Sequence, residues 1–450
     1  MKSQIPILIL LGLIALFPVL VFRAKDDNKN KVYLAYVLLI LPYMSFDLMP
    51  GLEEFTVFDL LSWSYFFVFL FYNRPGRNSI FGLLGYAVLI ILLIGVFNSD
   101  FFWRSMMSYL RFVSVIIFAK VLLTELKEDP DFFMQLMRML KIVLLVALIF
   151  MGLQMIFGVK ISVTFSFLSG NFMNPNIDTI EGIRYPSYFQ DPQKFAQFIA
   201  ALSFVFLIYD KKRSKALWLN LLLFLVAVVS LFLTGGRGGL LGLVIGLGFL
   251  YLFFPMRYKL LFAVPVVLLF MVISLYKQNF VMFNRQTDTN SALDERTGFW
   301  LDALTIYNKH PLMGIGVGNY QLYTERYKPD NYWYAQDEIT FFDQPESGYL
   351  KYLIEFGLFG FTVFILFLII PLVRSVYLYL VGVKDERLLI LVASPLSWMI
   401  GFITVCSLTD VRIFIVVTSL TCALIHVMQQ ADKSLAEREA HLPYGKNAIA

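Results

Sequence analysis

Three arginines stand where solubility does not explain them, in a chain in which only 15% of residues are charged. They are Arg184 in Arg-Tyr-Pro-Ser-Tyr-Phe-Gln-Asp-Pro-Gln-Lys-Phe, Arg237 in Thr-Gly-Gly-Arg-Gly-Gly, and Arg296. Arginine keeps its charge and offers a rigid donor fork, so several converging near a membrane surface suit a lipid diphosphate. Arg237 is the sharpest, because Gly235, Gly236, Gly238 and Gly239 permit close backbone approach and leave amides accessible to an anion. The competing account is a tight helical hairpin whose arginine snorkels to headgroups. Arg111 lies inside an apolar run, where a charge is expensive, so it belongs either to a buried pair or to a substrate contact; Lys120 in the same run snorkels. Glu346 can accept a proton from a sugar hydroxyl, or else be a helix-start acid favoured by the helix dipole. Lys351 and Glu355, spaced i,i+4, read as a plain ion pair, as do Asp410 and Arg412, while His310 before Pro311 reads as a loop histidine.

The elements that must position these residues are membrane helices. Of the 450 residues 59% are hydrophobic, and the mean hydropathy is +0.71, values that exclude a water-soluble multidomain protein. Apolar runs long enough to cross a hydrocarbon core of roughly 30 Å recur along nearly the whole chain. About thirteen such spans are expected, centred near residues 13, 39, 65, 88, 115, 149, 202, 226, 246, 268, 360, 398 and 420. The runs do not alternate with polar residues, so an outer-membrane barrel is excluded. The net charge of +5, from 37 Lys and Arg against 32 Asp and Glu, fits basic cytoplasmic loops and does not imply nucleic acid. Cys406 and Cys422 both fall in apolar segments, and with only three histidines a multi-histidine metal site is not expected.

Alternate connections carry the basic residues, from Arg23, Lys25, Lys29 and Lys31 through Lys211, Lys212, Arg213 and Lys215 to Lys433, Arg438 and Lys446. These connections are expected in the cytoplasm, which leaves two long segments, 159–194 and 277–345, facing outward. The amino terminus is expected outside, with the first span an uncleaved reverse anchor rather than a signal peptide. No fixed-period repeat is present, nor a pair of mirrored segments broken by Gly or Pro. Within 277–345, Ser291 and Asp294 make a capping box ahead of a helix with Trp300, Ala303, Leu304 and Tyr307 on one face, ending near His310-Pro311. Gly314, Gly316 and Gly318 then form a tightly turned connection, followed by Tyr320, Tyr323, Tyr327, Tyr332, Trp333 and Tyr334, which suit either sugar faces or a headgroup belt.

Four segments in this order resemble the O-antigen ligase and O-antigen polymerase superfamily of bacterial membrane glycosyltransferases. Arg184 to Ala196 is similar to that family's arginine, Pro-containing turn and Asn- or Gln-bearing helix start, here Gln193 and Lys194. Leu233-Thr-Gly-Gly-Arg-Gly-Gly-Leu-Leu resembles its Ser-Arg-Gly pattern, with Gly236 where serine is common. Arg296 through Trp300 to His310-Pro-Leu-Met-Gly-Ile-Gly-Val-Gly-Asn-Tyr320 is the closest match of the four. The fourth, beginning Glu346-Ser-Gly-Tyr-Leu, looks like a family element that opens with His-Asn in ligases. Because Glu346 and Ser347 replace that pair, the resemblance points to a polymerase of repeat units more than to a ligase.

The resemblance implies an all-α, polytopic fold of about 12–14 transmembrane helices, of the large membrane glycosyltransferase type, with an outward cavity roofed by the long loop. It divides the chain into amino-terminal helices 1–183, a family core 184–372, carboxy-terminal helices 373–430 and a cytoplasmic tail 431–450. It implies metal-independent glycosyl transfer without a cofactor, from polyprenyl-diphosphate-linked oligosaccharides, in the bacterial cytoplasmic membrane, with a chain-length regulator protein as partner. Arg184, Arg237 and Arg296 would hold the diphosphate and stabilise its departing charge, and Glu346 would act on the acceptor hydroxyl. Catalysis is thus assigned to Glu346, Arg237 and Arg296, and substrate binding to Arg184, Gln193, Lys194, Arg111, His310 and Tyr320. Two rivals remain. A lipid-linked oligosaccharide transporter would show inverted repeats and midplane charges, and an assembly factor would have no reason for three arginines flanked by Gly and Pro.

Overall fold

An apolar run in lipid becomes a helix because its backbone has no other hydrogen-bond partner there. The computed structural model describes residues 4–48, 55–72, 80–159, 178–179, 182–189, 191–209, 214–255, 289–327, 332–335, 338–342 and 345–441, with isolated helical positions between 259 and 275. Fourteen α-helices fall among the described residues. Six precede the first long connection: α1 (Gln4–Arg23), α2 (Lys29–Leu39), α3 (Val57–Tyr72), α4 (Ile80–Phe97), α5 (Phe102–Glu128) and α6 (Phe132–Phe157). Next come α7 (Pro192–Ser203), α8 (Ser214–Thr234), α9 (Arg237–Phe253), α10 (Thr289–Tyr307) and α11 (Tyr320–Tyr327). The last three are α12 (Gly348–Val381), α13 (Glu386–Gly401) and α14 (Val411–His441). Five contain stretches long and apolar enough to cross a membrane, in α5, α6, α8, α12 and α14, and five shorter apolar helices accompany them. The chain is therefore an all-α, multi-pass membrane protein. α14 is its axis, almost wholly buried among the other helices.

Two differences from the sequence-based expectation have local causes. The span expected near residue 39 is only the eleven-residue α2, about 16 Å long and too short to cross. Pro42 ends it, because proline lacks an amide and disfavours helix in the residue before it. The chain then makes a 3-10 turn at Leu41–Tyr43 and returns through a bridge between Asp47 and Thr56. The span expected near 268 lies outside the described residues apart from isolated positions. The second difference is that the two long connections carry small antiparallel hairpins: β1 (Asp178–Thr179) with β2 (Gly182–Ile183), and β3 (Tyr332–Ala335) with β4 (Glu338–Phe342), the last packed against α11.

The long connection between α9 and α12 builds a small core of its own. Ala303, Ile306, Ile315, Tyr320, Tyr323 and Ile354 are buried together, so Tyr320 and Tyr323 serve packing rather than a headgroup belt. α10 stops at Tyr307, just before His310-Pro311. The next residues are clipped onto α12 where that helix is interrupted at Gly357, whose φ of 66° and ψ of −178° are not helical. Ile315 N donates to Ile354 O (3.0 Å), Gly316 N to Glu355 O (3.1 Å) and Leu358 N to Pro311 O (2.9 Å). Gly314 has φ +72°, and a Cβ there would lie 2.4 Å from Gly357 N, so both glycines are required by the approach of two backbones.

Candidate functional site

Arg104, Ser108 and Arg111 follow at i, i+4 and i+7 on α5, which puts them on one face. That face meets the first turns of α7 and α12, the α13–α14 turn and the α2–α3 connection around a cavity of about 460 Å³. Among the described residues five cations line it, Arg104, Arg111, Lys194, Lys351 and Arg412, against three acids, Asp47, Glu355 and Asp410.

Each cation has a definite support. Arg104 Nε donates to Gly318 O at 3.0 Å, which ties α5 to the glycine-rich loop. Lys194 stands in the first turn of α7, a helix started by Asp191, whose carboxylate accepts from Gln193 N at 2.8 Å ahead of a proline at the first helical position. Its Nζ donates to Thr409 Oγ1 at 3.0 Å, and Arg111 Nη1 reaches Thr409 O at 3.5 Å, so this threonine joins α5, α7 and the α13–α14 turn. Lys351 and Glu355 are both buried, with Nζ 3.9 Å from Oε1. The Glu355 carboxylate also accepts from Tyr320 N at 3.4 Å.

Arg412 is the most constrained cation. Its Nε and Nη2 donate to the two carboxylate oxygens of Asp410 at 2.8 and 2.6 Å, and its Nη1 to Tyr188 O at 2.6 Å. Its guanidinium lies 4.5 Å from the Phe189 ring centroid. Burial pushes the Asp410 carboxyl up, but the guanidinium beside it outweighs burial and holds the carboxyl below the usual carboxylate range. The cavity therefore keeps a fixed Asp410–Arg412 pair on one wall, with Arg104, Arg111 and Lys194 lining the space beside it. A polyanion fits such a space.

Of the residues singled out in the sequence, Arg111 and Lys194 come together here, and Tyr320 adjoins through its amide. The others stand elsewhere. Arg184 is buried beside the α8–α9 turn, where its Nε donates to Thr234 O at 3.0 Å and a Cβ on Gly235 would come within 2.9 Å of that nitrogen. Arg237 begins α9 and is exposed. The glycines around it serve close helix packing: a Cβ on Gly236 would meet Ala196, one on Gly238 Thr404, and one on Gly239 the Ala196 carbonyl. Gln193 occupies the first turn of α7, half-buried. His310 packs its ring edge-on against Tyr323, centroids 5.6 Å apart. Glu346 is exposed just before α12, with φ +36°, an uncommon conformation for a residue with a Cβ. Arg296 falls on α10, and its side chain lies outside the described residues.

Arg104, Lys351, Glu355, Asp410 and Arg412 were not read as site residues from the sequence. Arg104 carried a usable signal, its seven-residue distance from Arg111. The Lys351–Glu355 and Asp410–Arg412 pairs do form as expected, and they do so in the cavity wall.

Residues 221–365 match the O-antigen ligase family. The match starts within α8 and ends within α12, so it takes in Arg237, Arg296, His310, Glu346, Lys351 and Glu355, while Arg104, Arg111, Lys194 and the Asp410–Arg412 pair lie beyond it. It supports the O-antigen ligase and polymerase superfamily and a glycosyl-transferring role in surface polysaccharide synthesis. The family's name favours a ligase over the polymerase expected from Glu346. No curated protein matches the chain.

Proposed function

We propose that this protein transfers a glycan from a polyprenyl diphosphate to an acceptor, as a ligase, with the donor's diphosphate held in the basic cavity at the outer face of the bacterial cytoplasmic membrane. The observation that carries this reading is the excess of cations, among the described residues, in a semi-enclosed space beside the matched segment. Arg111, Lys194 and Arg104 would neutralise charge as it collects on the departing diphosphate, which is often the largest catalytic contribution. Asp410 and Arg412 act as a rigid wall that fixes Thr409 and, through it, Lys194 and Arg111. Glu346 is proposed as the carboxylate that orients or deprotonates the acceptor hydroxyl, a role supported by its exposure and positive φ, a conformation that concentrates at functional sites. Arg237 and Arg296 would line the donor's approach, and Arg184 would hold the turn that carries Arg237. The outward direction rests on the basic connections, which occupy the opposite helix ends.

A second reading, polymerisation of lipid-linked repeat units, is favoured by one observation, Glu346-Ser347 in the position where the resembled ligases carry His-Asn. Reconstituted protein supplied with lipid-linked repeat units alone separates the two. A ligase leaves the donor unextended until a separate acceptor is added, whereas a ladder of longer lipid-linked chains would establish the polymerase. Absence of transfer under both conditions would overturn the proposal.

A further inference from the structure

Adjoining the basic cavity is a second space that the transfer step does not use, an apolar cleft of about 540 Å³ between α5 and α14, flanked by α4 and α12. On α5 its lining runs from Phe112 to Glu128, which at about 1.5 Å per residue is roughly 24 Å of helix. Gly82 and Gly85 on α4 and Ala119 on α5 leave it room. The hydroxyls of Thr124 and Thr421 are already spent on the carbonyls of Lys120 and Val417, at 2.8 Å each. A hydrocarbon chain is complementary to such a wall.

Depth and continuity select which chain. The acyl chain of a leaflet lipid reaches about half of the roughly 30 Å core, so it would leave the far half of this cleft unfilled. A longer chain passes the midplane and fills it. Phe112 and Leu408 line both the cleft and the basic cavity, so one layer of side chains separates the two. The Phe112 ring stands edge-on to Phe414 and Phe356, with centroids 5.1 and 5.5 Å away. At the far end Lys120, Lys127 and Lys433 are nearly balanced by Glu128 and Asp432, which gives an anionic headgroup little to bind.

We infer that the cleft receives the isoprenoid chain of the lipid-linked donor, bent past Phe112 and Leu408, while the diphosphate occupies the basic cavity. This rests on the function proposed above and adds that the enzyme measures the length of its lipid carrier.

Two probes test it on the full chain in nanodiscs: undecaprenyl diphosphate and farnesyl diphosphate, each with a diazirine at the hydrocarbon end. The long probe should label cleft residues such as Ala119, Leu123, Thr418 and Cys422, and the short one only the region of Phe112 and Leu408. Gly85→Leu narrows the cleft at a position where a Cβ meets Ile116 Cδ1 at an ordinary 3.4 Å, so folding should survive. It should raise KM for a long-chain donor by about tenfold, the burial of a couple of methylenes, and leave a short-chain donor unchanged. Equal labelling by both probes outside the cleft, or an equal effect of Gly85→Leu on both donors, would overturn the inference and leave the transfer reading intact. A phospholipid retained in the cleft and not displaced by the long probe would do the same. If neither probe labels and neither donor is transferred, both readings fall.

Discussion

The α8–α9 turn and the α5–α7–α14 cavity each hold arginine in a setting of small or polar residues, and they use it differently. At the turn, Arg184 is spent on the chain itself, bonding Thr234 O, while the glycines beside Arg237 let α9 lie against Ala196 and Thr404. Small residues at membrane helix contacts are a general packing device. At the cavity, the cations are held by polar contacts and also line open space: Lys194 donates to Thr409 Oγ1 and Arg104 to Gly318 O. A residue type alone does not separate these cases. What separates them is whether the guanidinium or ammonium lines a cavity as well as bonding its neighbours.

The largest effect that would break this contrast is at the cavity wall. Asp410→Asn removes one partner of a buried bidentate pair and leaves Arg412 uncompensated, and should cost about 3–5 kcal/mol in thermal or denaturant unfolding. The pH dependence has a definite sign. The folded carboxyl lies below its unfolded value of about 3.9, so the pair's contribution is fully present above that value and is lost as pH falls through the lower folded value. The wild type should therefore lose stability on its acid side by more than Asp410→Asn does. Next, Arg111→Ala and Lys194→Ala should each lower transfer by about a hundredfold or more with little change in unfolding temperature. Arg111→Lys should rescue poorly if the donor fork matters, and fully if charge alone does. At the turn the order is reversed. Gly242→Ala, whose Cβ would lie 2.1 Å from Ser397 O, should cost about 1–3 kcal/mol in stability and leave transfer per folded molecule unchanged. The smallest effect is expected at Asp100, whose pair with Arg326 is half exposed. Asp100→Asn should shift stability by less than about 1 kcal/mol, and less still at high salt.

Much of the bundle was legible because an apolar run has one stable answer in lipid. α5, α6, α8, α12 and α14 all fall on expected spans, and the exception, α2, was marked by Pro42. The long connection was legible in part: its helix end before Pro311 and its glycine turns could be read, but the fit of Gly314 against Gly357 joins positions over forty residues apart that no local pattern links. The site was harder for the same reason. Lys194 and Arg111 meet at Thr409, 215 and 298 residues away along the chain. Arg104 could have been found from its spacing to Arg111. Asp410 and Arg412 were recognised as a pair, but that the pair walls a cavity depends on Tyr188 and Phe189, which arrive from a distant connection.

The central claim, that the basic cavity holds the donor's diphosphate, is tested most directly by equilibrium binding of undecaprenyl diphosphate to the purified full chain, with and without the combined changes Arg111→Ala and Lys194→Ala. Kd should rise by at least about a hundredfold, some 2.7 kcal/mol, and the salt dependence of binding should weaken as two phosphate-neutralising charges are lost. An unchanged Kd in that variant, together with lost binding in Arg237→Ala, would rule out the basic cavity and return the site to the turn between α8 and α9.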